Sequence, residues 1–280
     1  MCDPEILLCN SVTKLEAADA GRLLVTGSHG GSYSANLAAR SGLKAVIFND
    51  AGVGKDRAGV AGLAYLEELD MAAVAISHNS ARIGSAKDMW ARGVVSQVNA
   101  VAAHLGCAPR QSCSDCAKLL QGATRPQSVP PEAGEASHLI SKNPGQPEVW
   151  VLDSASLVGP EHVGQIVLTG SHGGLLGGRP EAALKADALA AVYNDAGIGI
   201  DEAGLTRLPA LDARKIAAAT VAATSARIGE GLSTYQDGNI SRINQTAAEL
   251  GATEGMSAMA FVACIIANSE MIKSHTGGTR

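Results

Sequence analysis

The sequence predicts an α/β protein that is internally duplicated, with two βαβαβ-type repeats and largely parallel sheets packed about a pseudo-two-fold axis. Two observations predict this fold. The segment "VTGSHGG" at residues 25–31 recurs as "LTGSHGG" at residues 168–174, within a longer self-similarity. Each half also alternates short, almost wholly apolar runs with helical patterns, which is typical of parallel strands covered by helices on both faces.

The repeat extends over most of the chain. "AVIFNDAGVGKDRAG" matches "AVYNDAGIGIDEAG", "AISHNSARIG" matches "AATSARIG", and "GVVSQVNAVAAHLG" matches "GNISRINQTAAELG". One two-residue insertion near "LLGGRPEA" accounts for the change in offset between the glycine loops and the later motifs. We therefore predict a first repeat over 1–121, a Pro-rich linker over 122–147, a second repeat over 148–270 and a C-terminal tail over 271–280.

Four apolar runs of strand length occur in each half, in the same order. They are "ILLCNSV", "RLLVTGS", "KAVIFND" and "AAVAISH" in the first half, and "VWVLDSA", "QIVLTGS", "LAAVYND" and "IAAATVAAT" in the second. The first connection is too short for a helical crossover, so we expect the first strand to run antiparallel at an edge.

Three segments of the first half have helical patterns. They are "SANLAARSG", "GVAGLAYLEEL" and "VVSQVNAVAAHLG". In the last of these, Val94, Val98, Val101, Ala102 and Leu105 fall on one helical face, which predicts a single helix.

Composition and charge exclude several classes of partner. The net charge of −5 argues against nucleic acid or an anionic membrane, and aromatic residues make up only 3% of the chain. The sequence has no apolar run of membrane length and no signal-peptide pattern at its start, so we expect a cytoplasmic protein. Its high Ala and Gly content is compatible with a homo-oligomer, which we also expect. The pair Cys113-x-x-Cys116 stands alone on a helical stretch, which favours small buried thiols over a zinc site.

Polar motifs recur at the carboxyl ends of the predicted parallel strands, where α/β proteins form their sites. Apolar positions have drifted between the copies, as Phe48 and Tyr193 show, but these polar positions have not. Candidate catalytic residues are His29, His172, Asp50, Asp195 and His78. Candidate substrate-binding residues are Ser28, Gly30, Gly31, Arg82, Ser171, Gly173, Gly174, Arg227, Asn49 and Asn194. We expect them to form an active site between the two halves.

Each residue type suggests a role and has a structural alternative. Histidine with aspartate transfers protons, glycine-loop amides bind an anion or oxyanion, and arginine clamps a carboxylate. Alternatively, the glycines only permit a tight turn, the aspartates cap helices, and each arginine pairs with an aspartate of the "NDAG" motif. Ser80 and Ser225 are expected to cap the next turn.

The two copies are not identical. His78 and Lys55 of the first repeat are matched by Ala223 and Ile200 in the second. A single asymmetric substrate lying across two similar halves would explain this difference. The extra basic groups indicate that the first repeat is the reactive side.

We expect an enzyme that acts on a small anionic or carbonyl-containing metabolite by hydrolysing a C–N bond in an amide-like group. A lyase or hydratase acting on a small carboxylate is the first alternative. A hydrolase with a divalent metal on the paired His and Asp residues, or a non-catalytic anion-binding protein, is the other. No organic cofactor is predicted, because dinucleotide, P-loop, H-E-x-x-H and G-x-S-x-G motifs are missing.

Overall fold

The computed structural model describes residues 5–276, with side chains described as far as residue 269. The chain divides into two compact units. Unit 1 comprises Met1–Gly134, Gly174–Gly178 and Ala196–Gly204, and unit 2 comprises Glu135–Gly173, Arg179–Asp195 and Leu205–Arg280. Two loops of the second repeat are thus grouped with unit 1.

Unit 1 contains a five-stranded sheet. Its strands are β1 (Ile6–Cys9), β2 (Leu23–His29), β3 (Ala45–Asn49), β4 (Ala72–Ile76) and β5 (Val95–Val98). They lie side by side in sequence order, with β1 to β4 parallel and β5 antiparallel to β4. Its helices are α1 (Ser32–Arg40), α2 (Ala61–Glu67), α3 (Ala86–Arg92), α4 (Ala100–His104) and α5 (Cys113–Leu120).

Unit 2 contains a six-stranded sheet. Its strands are β6 (Ser137–Ser141), β7 (Val149–Leu152), β8 (Ile166–His172), β9 (Ala190–Asn194), β10 (Ala217–Val221) and β11 (Ile240–Ile243). Strands β7 to β10 are parallel, and β6 and β11 pair antiparallel at the two edges. Its helices are α6 (Arg207–Asp212), α7 (Gly231–Asp237), α8 (Gln245–Glu249) and α9 (Ala258–Thr276). The predicted α/β class, with a mostly parallel sheet in each half, is confirmed.

The predicted linker and the predicted C-terminal tail both contain regular structure. Strand β6 lies within residues 122–147, where the sequence predicted a linker. In the same segment, residues 130–133 are held on α1 because the side chain of Asn36 donates to the carbonyl of Pro131 and accepts from the amide of Ala133. The predicted tail is helical as far as Thr276, and its remainder lies outside the described residues.

Alternate side chains of the parallel strands are buried on opposite faces of the unit 1 sheet. Leu23 and Val25 of β2 pack with α5 residues such as Cys116 and Leu120 on one face. Leu24 packs on the other face with residues such as Ala38 of α1. Because successive side chains of a strand point to opposite faces, burial of all three requires helices on both sides.

Two predictions about the elements are wrong. β1 runs parallel to β2, because the crossover is made by two 3₁₀ turns, Val12–Lys14 and Ala17–Asp19, which need less chain than a helix. The segment predicted as one helix is β5 followed by α4. Asn99 starts α4 by accepting from the amide of Ala102, and it also bonds to the backbone of β4. The apolar spacing of the segment fits either arrangement, so the capping asparagine was the informative signal.

The second repeat has no counterpart of α1 among its described residues, and a glycine that packs against α1 in unit 1 is replaced by arginine in unit 2. In unit 1, a Cβ atom built on Gly62 would lie 2.5 Å from Cβ of Ala35, so α1 and α2 pack closely only around glycine. The matching residue of unit 2 is Arg207, which is buried and donates to the carbonyls of Ala182 and Ala183. Its guanidinium lies 4.9 Å from the centre of the Tyr193 ring. The arginine side chain is therefore held by the segment between β8 and β9, which corresponds to the α1 segment of unit 1.

Candidate functional site

Three candidate catalytic residues of unit 1 lie at the carboxyl ends of adjacent strands. His29 is the last residue of β2 and is the register partner of Asn49 in β3. Asp50 follows β3 directly, and His78 follows β4 by two residues. Neighbouring strands are about 4.8 Å apart, so the three positions lie along about 10 Å of one sheet edge.

Asp50 and His78 form a hydrogen-bonded pair. Oδ1 of Asp50 lies 2.8 Å from Nδ1 of His78 and also accepts from the His78 amide at 2.9 Å. The Asp50 side chain is 4% exposed and that of His78 is 19% exposed. Burial alone would raise the pKa of Asp50, but its bonds to the His78 ring and amide outweigh burial and hold the pKa below its ordinary value.

This pairing leaves the other ring nitrogen of His78 available. The ionised carboxylate fixes the proton on Nδ1, so the neutral ring carries its lone pair on Nε2. Nε2 makes no hydrogen bond with any of the described residues. The geometry is that of a base oriented by a carboxylate.

Two glycines that sequence analysis did not single out pack against His78. A Cβ atom on Gly197 would lie 3.1 Å from Nε2 of His78, and one on Gly199 would lie 2.9 Å from its carbonyl oxygen. Both glycines have positive φ, and the amide of Ile200 donates to the His78 carbonyl at 2.9 Å. The recurrence of G-x-G after "NDA" in both repeats was the available signal.

His29 is the other neutral tautomer, with its proton on Nε2. Its Nδ1 accepts from the amide of Gly31 at 3.1 Å, so the proton of the neutral ring is on Nε2. Burial lowers the pKa of His29 to about 4, because desolvation disfavours the charged imidazolium. Near pH 7 this side chain is therefore a neutral hydrogen-bond donor.

The glycine loops, residues 28–31 and 171–174, use their amides internally. Gly30 donates to the carbonyl of Asn49, Gly31 donates to His29, and Gly173 donates to the carbonyl of Asn194. A Cβ atom on Gly31 would lie 2.7 Å from Nδ1 of His29, so the turn needs glycine there. These three amides are thus engaged, which supports the tight-turn alternative over the predicted oxyanion role.

The paired serines and asparagines hold neighbouring backbone. Oγ of Ser28 accepts from the amide of Val12 at 3.0 Å, and Oγ of Ser171 accepts from the amide of Ala155 at 2.9 Å. The side-chain amide of Asn49 donates to the carbonyl of Ala81. In unit 2, Asn194 donates in the same way to the carbonyl of Ala226. These bonds anchor the strand ends, and the predicted binding of substrate by these residues stays a prediction.

The candidate arginines make ion pairs. Arg82 contacts Asp201 through Nε at 3.0 Å, and Arg92 shares the same carboxylate at 2.5 Å. The hydrogen bond from Arg92 is the main reason that the pKa of Asp201 is below its ordinary value. In unit 2, Arg227 contacts Glu230 at 3.4 Å. The partner of Arg82 is therefore Asp201 rather than the "NDAG" aspartate that the structural alternative named.

The corresponding residues of unit 2 are arranged differently. His172 is buried at the end of β8, where it is the register partner of Asn194. Oδ1 of Asp195 accepts from the amide of Ala223 at 2.9 Å, as Asp50 does from His78. Ala223 has no ring, so the carboxylate–imidazole pair of unit 1 has no equivalent at this position. The two repeats are therefore chemically unequal, as the sequence indicated.

Metal sites, membrane helices and the cysteines were also subjects of sequence predictions. Within the described part of the chain, no three His, Cys, Asp or Glu side chains are grouped so that they could hold a metal ion. No helix among residues 5–276 is long and apolar enough to cross a membrane. Cys107, Cys113 and Cys116 are free and buried, and burial raises the pKa of Cys113 to about 12. Cys2 lies outside the described residues.

Comparison of the chain with protein-family models, curated proteins and solved structures finds no match to any of them.

Proposed function

We propose that unit 1 is an enzyme acting on a small carbonyl-containing metabolite, with Asp50 and His78 as its acid–base pair and His29 as a neutral hydrogen-bond donor. Hydrolysis of an amide-like C–N bond is the reaction that this arrangement supports best. The proposal rests on one observation, the 2.8 Å contact between Oδ1 of Asp50 and Nδ1 of His78.

The reaction needs one base, one acid and one donor. Nε2 of His78 removes a proton from water as the water oxygen attacks the carbonyl carbon. The resulting imidazolium is stabilised by the Asp50 carboxylate, and it returns the proton to the leaving nitrogen when the C–N bond breaks. The Nε2–H of His29 donates to the oxygen on which negative charge develops, the role first assigned to the glycine amides.

His29 suits that donor role because it remains neutral. Because the pKa of the His29 imidazolium is lowered to about 4, the ring is neutral at pH 7. The N–H of a neutral imidazole is a very weak acid, so it stabilises the oxyanion by a hydrogen bond without giving up its proton. The same pair would also serve a lyase, in which His78 removes a proton next to a carbonyl. Both reactions use residues of the chain alone and need no organic cofactor. We expect the enzyme to be cytoplasmic and to form a homo-oligomer.

The experiment is a comparison of metabolite consumption by matched variants. The purified protein is incubated with a small-metabolite extract and with a panel of cyclic and linear amides and ureas, and losses are followed by mass spectrometry. His78→Ala and Asp50→Asn are expected to reduce turnover by about 10²- to 10⁴-fold. His104→Ala, at an exposed histidine on α4, is the control and should retain activity.

Two results would contradict the proposal. Turnover that survives in His78→Ala would show that the pair is structural. Equal loss in His104→Ala would show that the effect is not specific to the pair. His29→Ala separates the donor from the base, because it removes the Nε2–H donor and should lower the turnover number while leaving the proton-transfer pair intact.

A further inference from the structure

A cavity lies in unit 2, at the amino ends of its parallel strands and thus at the opposite sheet edge from the polar motifs of that unit. It has a volume of about 480 Å³, which is within the range of small-molecule sites. Its walls come from the turns that precede β7, β8, β9 and β10, together with Ser269 of α9.

The walls combine apolar and cationic groups. Pro147, Val163, Leu189 and Ile216 supply the apolar surface, and Val163 is 55% exposed although it is aliphatic. An aliphatic side chain that is half in solvent beside a concave surface is available for contact with a hydrocarbon ligand. The cavity thus suits a molecule with an apolar body.

The charged groups of the lining leave one cation unpaired. Arg214 contacts Asp187 at 2.7 Å and donates its other hydrogens to the carbonyls of Leu184 and Ala186. Lys215 also lines the cavity and is exposed. Its ammonium makes no ion pair or hydrogen bond with any side chain or carbonyl that the structure describes. With Arg214 neutralised by Asp187, the lining carries one net positive charge.

In the first repeat, other side chains of the protein lie at the matching position. Gly42 matches Asp187, and the guanidinium of Arg125 lies directly over it. Lys44 nearby donates to the carbonyl of Gln121 and to Glu5, both at 2.9 Å. Asp70 stands where unit 2 has Lys215. The charged groups that line the cavity in unit 2 are therefore not repeated at the matching positions of unit 1.

We propose that this cavity is a binding site for a small organic monoanion, a carboxylate with a short hydrocarbon chain, whose carboxylate pairs with Lys215. The hydrocarbon part lies against the apolar wall, and the carboxylate takes the place of solvent at the ammonium. The site is separate from the acid–base pair of unit 1 and does not depend on the proposed reaction.

The test uses hexanoate as the probe and the full chain. Binding is measured by calorimetry and by shifts of the Gly145 and Gly164 amide signals, which line the cavity. Lys215→Met keeps the aliphatic stem and removes the charge, and it should weaken hexanoate binding about tenfold. Lys87→Met, at an exposed lysine on α3, is the matched control and should bind as the unsubstituted protein does.

Further probes separate charge from apolar contact. Hexylamine carries the opposite charge on the same chain and should bind at least tenfold more weakly than hexanoate, and acetate should also bind more weakly because it lacks the hydrocarbon part. Val163→Asp places a negative charge on the wall and should weaken hexanoate binding without affecting the fold, because the residue is half-exposed. Failure of hexanoate to shift either glycine signal, or equal binding by Lys215→Met, would overturn the proposal.

Discussion

Replacement of Asp50 by alanine should destabilise unit 1 far more than replacement of His78. Oδ1 of Asp50 accepts three hydrogen bonds, from the amide of Gly52, the amide of His78 and the ring of His78. Asp50→Ala removes the acceptor of all three. His78→Ala removes only the ring contact, because the backbone amide at that position continues to donate.

The expected magnitudes follow from these contacts. A hydrogen bond to a charged group contributes about 1.5–3 kcal/mol. The ring of His78 is 19% exposed and can turn to water, so the lasting cost of Asp50→Ala comes from the two amides. We therefore expect Asp50→Ala to lower the free energy of unfolding by about 3–6 kcal/mol, and His78→Ala by about 1.5–3 kcal/mol.

The assay must report on unit 1 alone. The chain has two tryptophans, Trp90 in unit 1 and Trp150 in unit 2. In a Trp150→Phe background, the fluorescence of Trp90 during urea unfolding follows unit 1. Glu68→Ala, at an exposed position, is the control and should change stability by less than about 0.5 kcal/mol.

The pH dependence provides a second check. Because the pKa of Asp50 is lowered on folding, its contribution is present above the unfolded pKa of 3.8 and is lost as the pH falls through the lower folded pKa. In His78→Ala, the loss of stability at low pH should be smaller. Without the His78 ring, the effect of burial, which raises the pKa of Asp50, is opposed by fewer stabilising bonds. Equal destabilisation by Asp50→Ala and His78→Ala would refute the reasoning.

Three other outcomes follow from the structure. His29 should titrate near pH 4 by NMR and show the Nε2–H tautomer, and the free energy of unfolding should rise by up to about 3 kcal/mol between pH 4 and 6.5; titration near 6.5 would contradict its burial. Gly62→Ala should cost more than about 2 kcal/mol in urea unfolding because its Cβ would meet Ala35 at 2.5 Å, and a neutral effect would count against close α1–α2 packing. Ala223→His should give a ring whose Nδ1–H signal reports a bond to Asp195, because the backbone bond at this position is the same in both units, and absence of that signal would contradict the prediction.

Sequence patterns predicted the strands better than their directions. The eight apolar runs of the parallel strands are all strands, since nearly continuous apolar residues followed by a polar turn have few other buried arrangements. The direction of β1 depends on how compactly residues between Cys9 and Leu23 can cross, which spacing alone does not reveal. The division of the segment after β4 into β5 and α4 depends on Asn99, which caps α4 through the amide of Ala102 and also accepts from Ala73 of β4.

The positions of the candidate site residues were predicted in part, for a related reason. The carboxyl-end rule placed His29, Asp50 and His78 at one edge, because it follows from parallel strand direction alone. It did not show that Gly31 donates to His29 or that Arg82 meets Asp201. Those partners are set by loop conformations, and in the second case by a segment far away in sequence.

The divergence between the repeats separates residues that the shared backbone explains from residues that it does not explain. Residues that recur, such as Ser28 with Ser171 and Asn49 with Asn194, make the same backbone contacts in both units, so the fold itself accounts for their recurrence. A shared backbone constrains both copies equally, whereas a reaction at one place does not. The positions that differ while the surrounding backbone bonds persist are therefore the ones to test first, and His78 is the clearest of them.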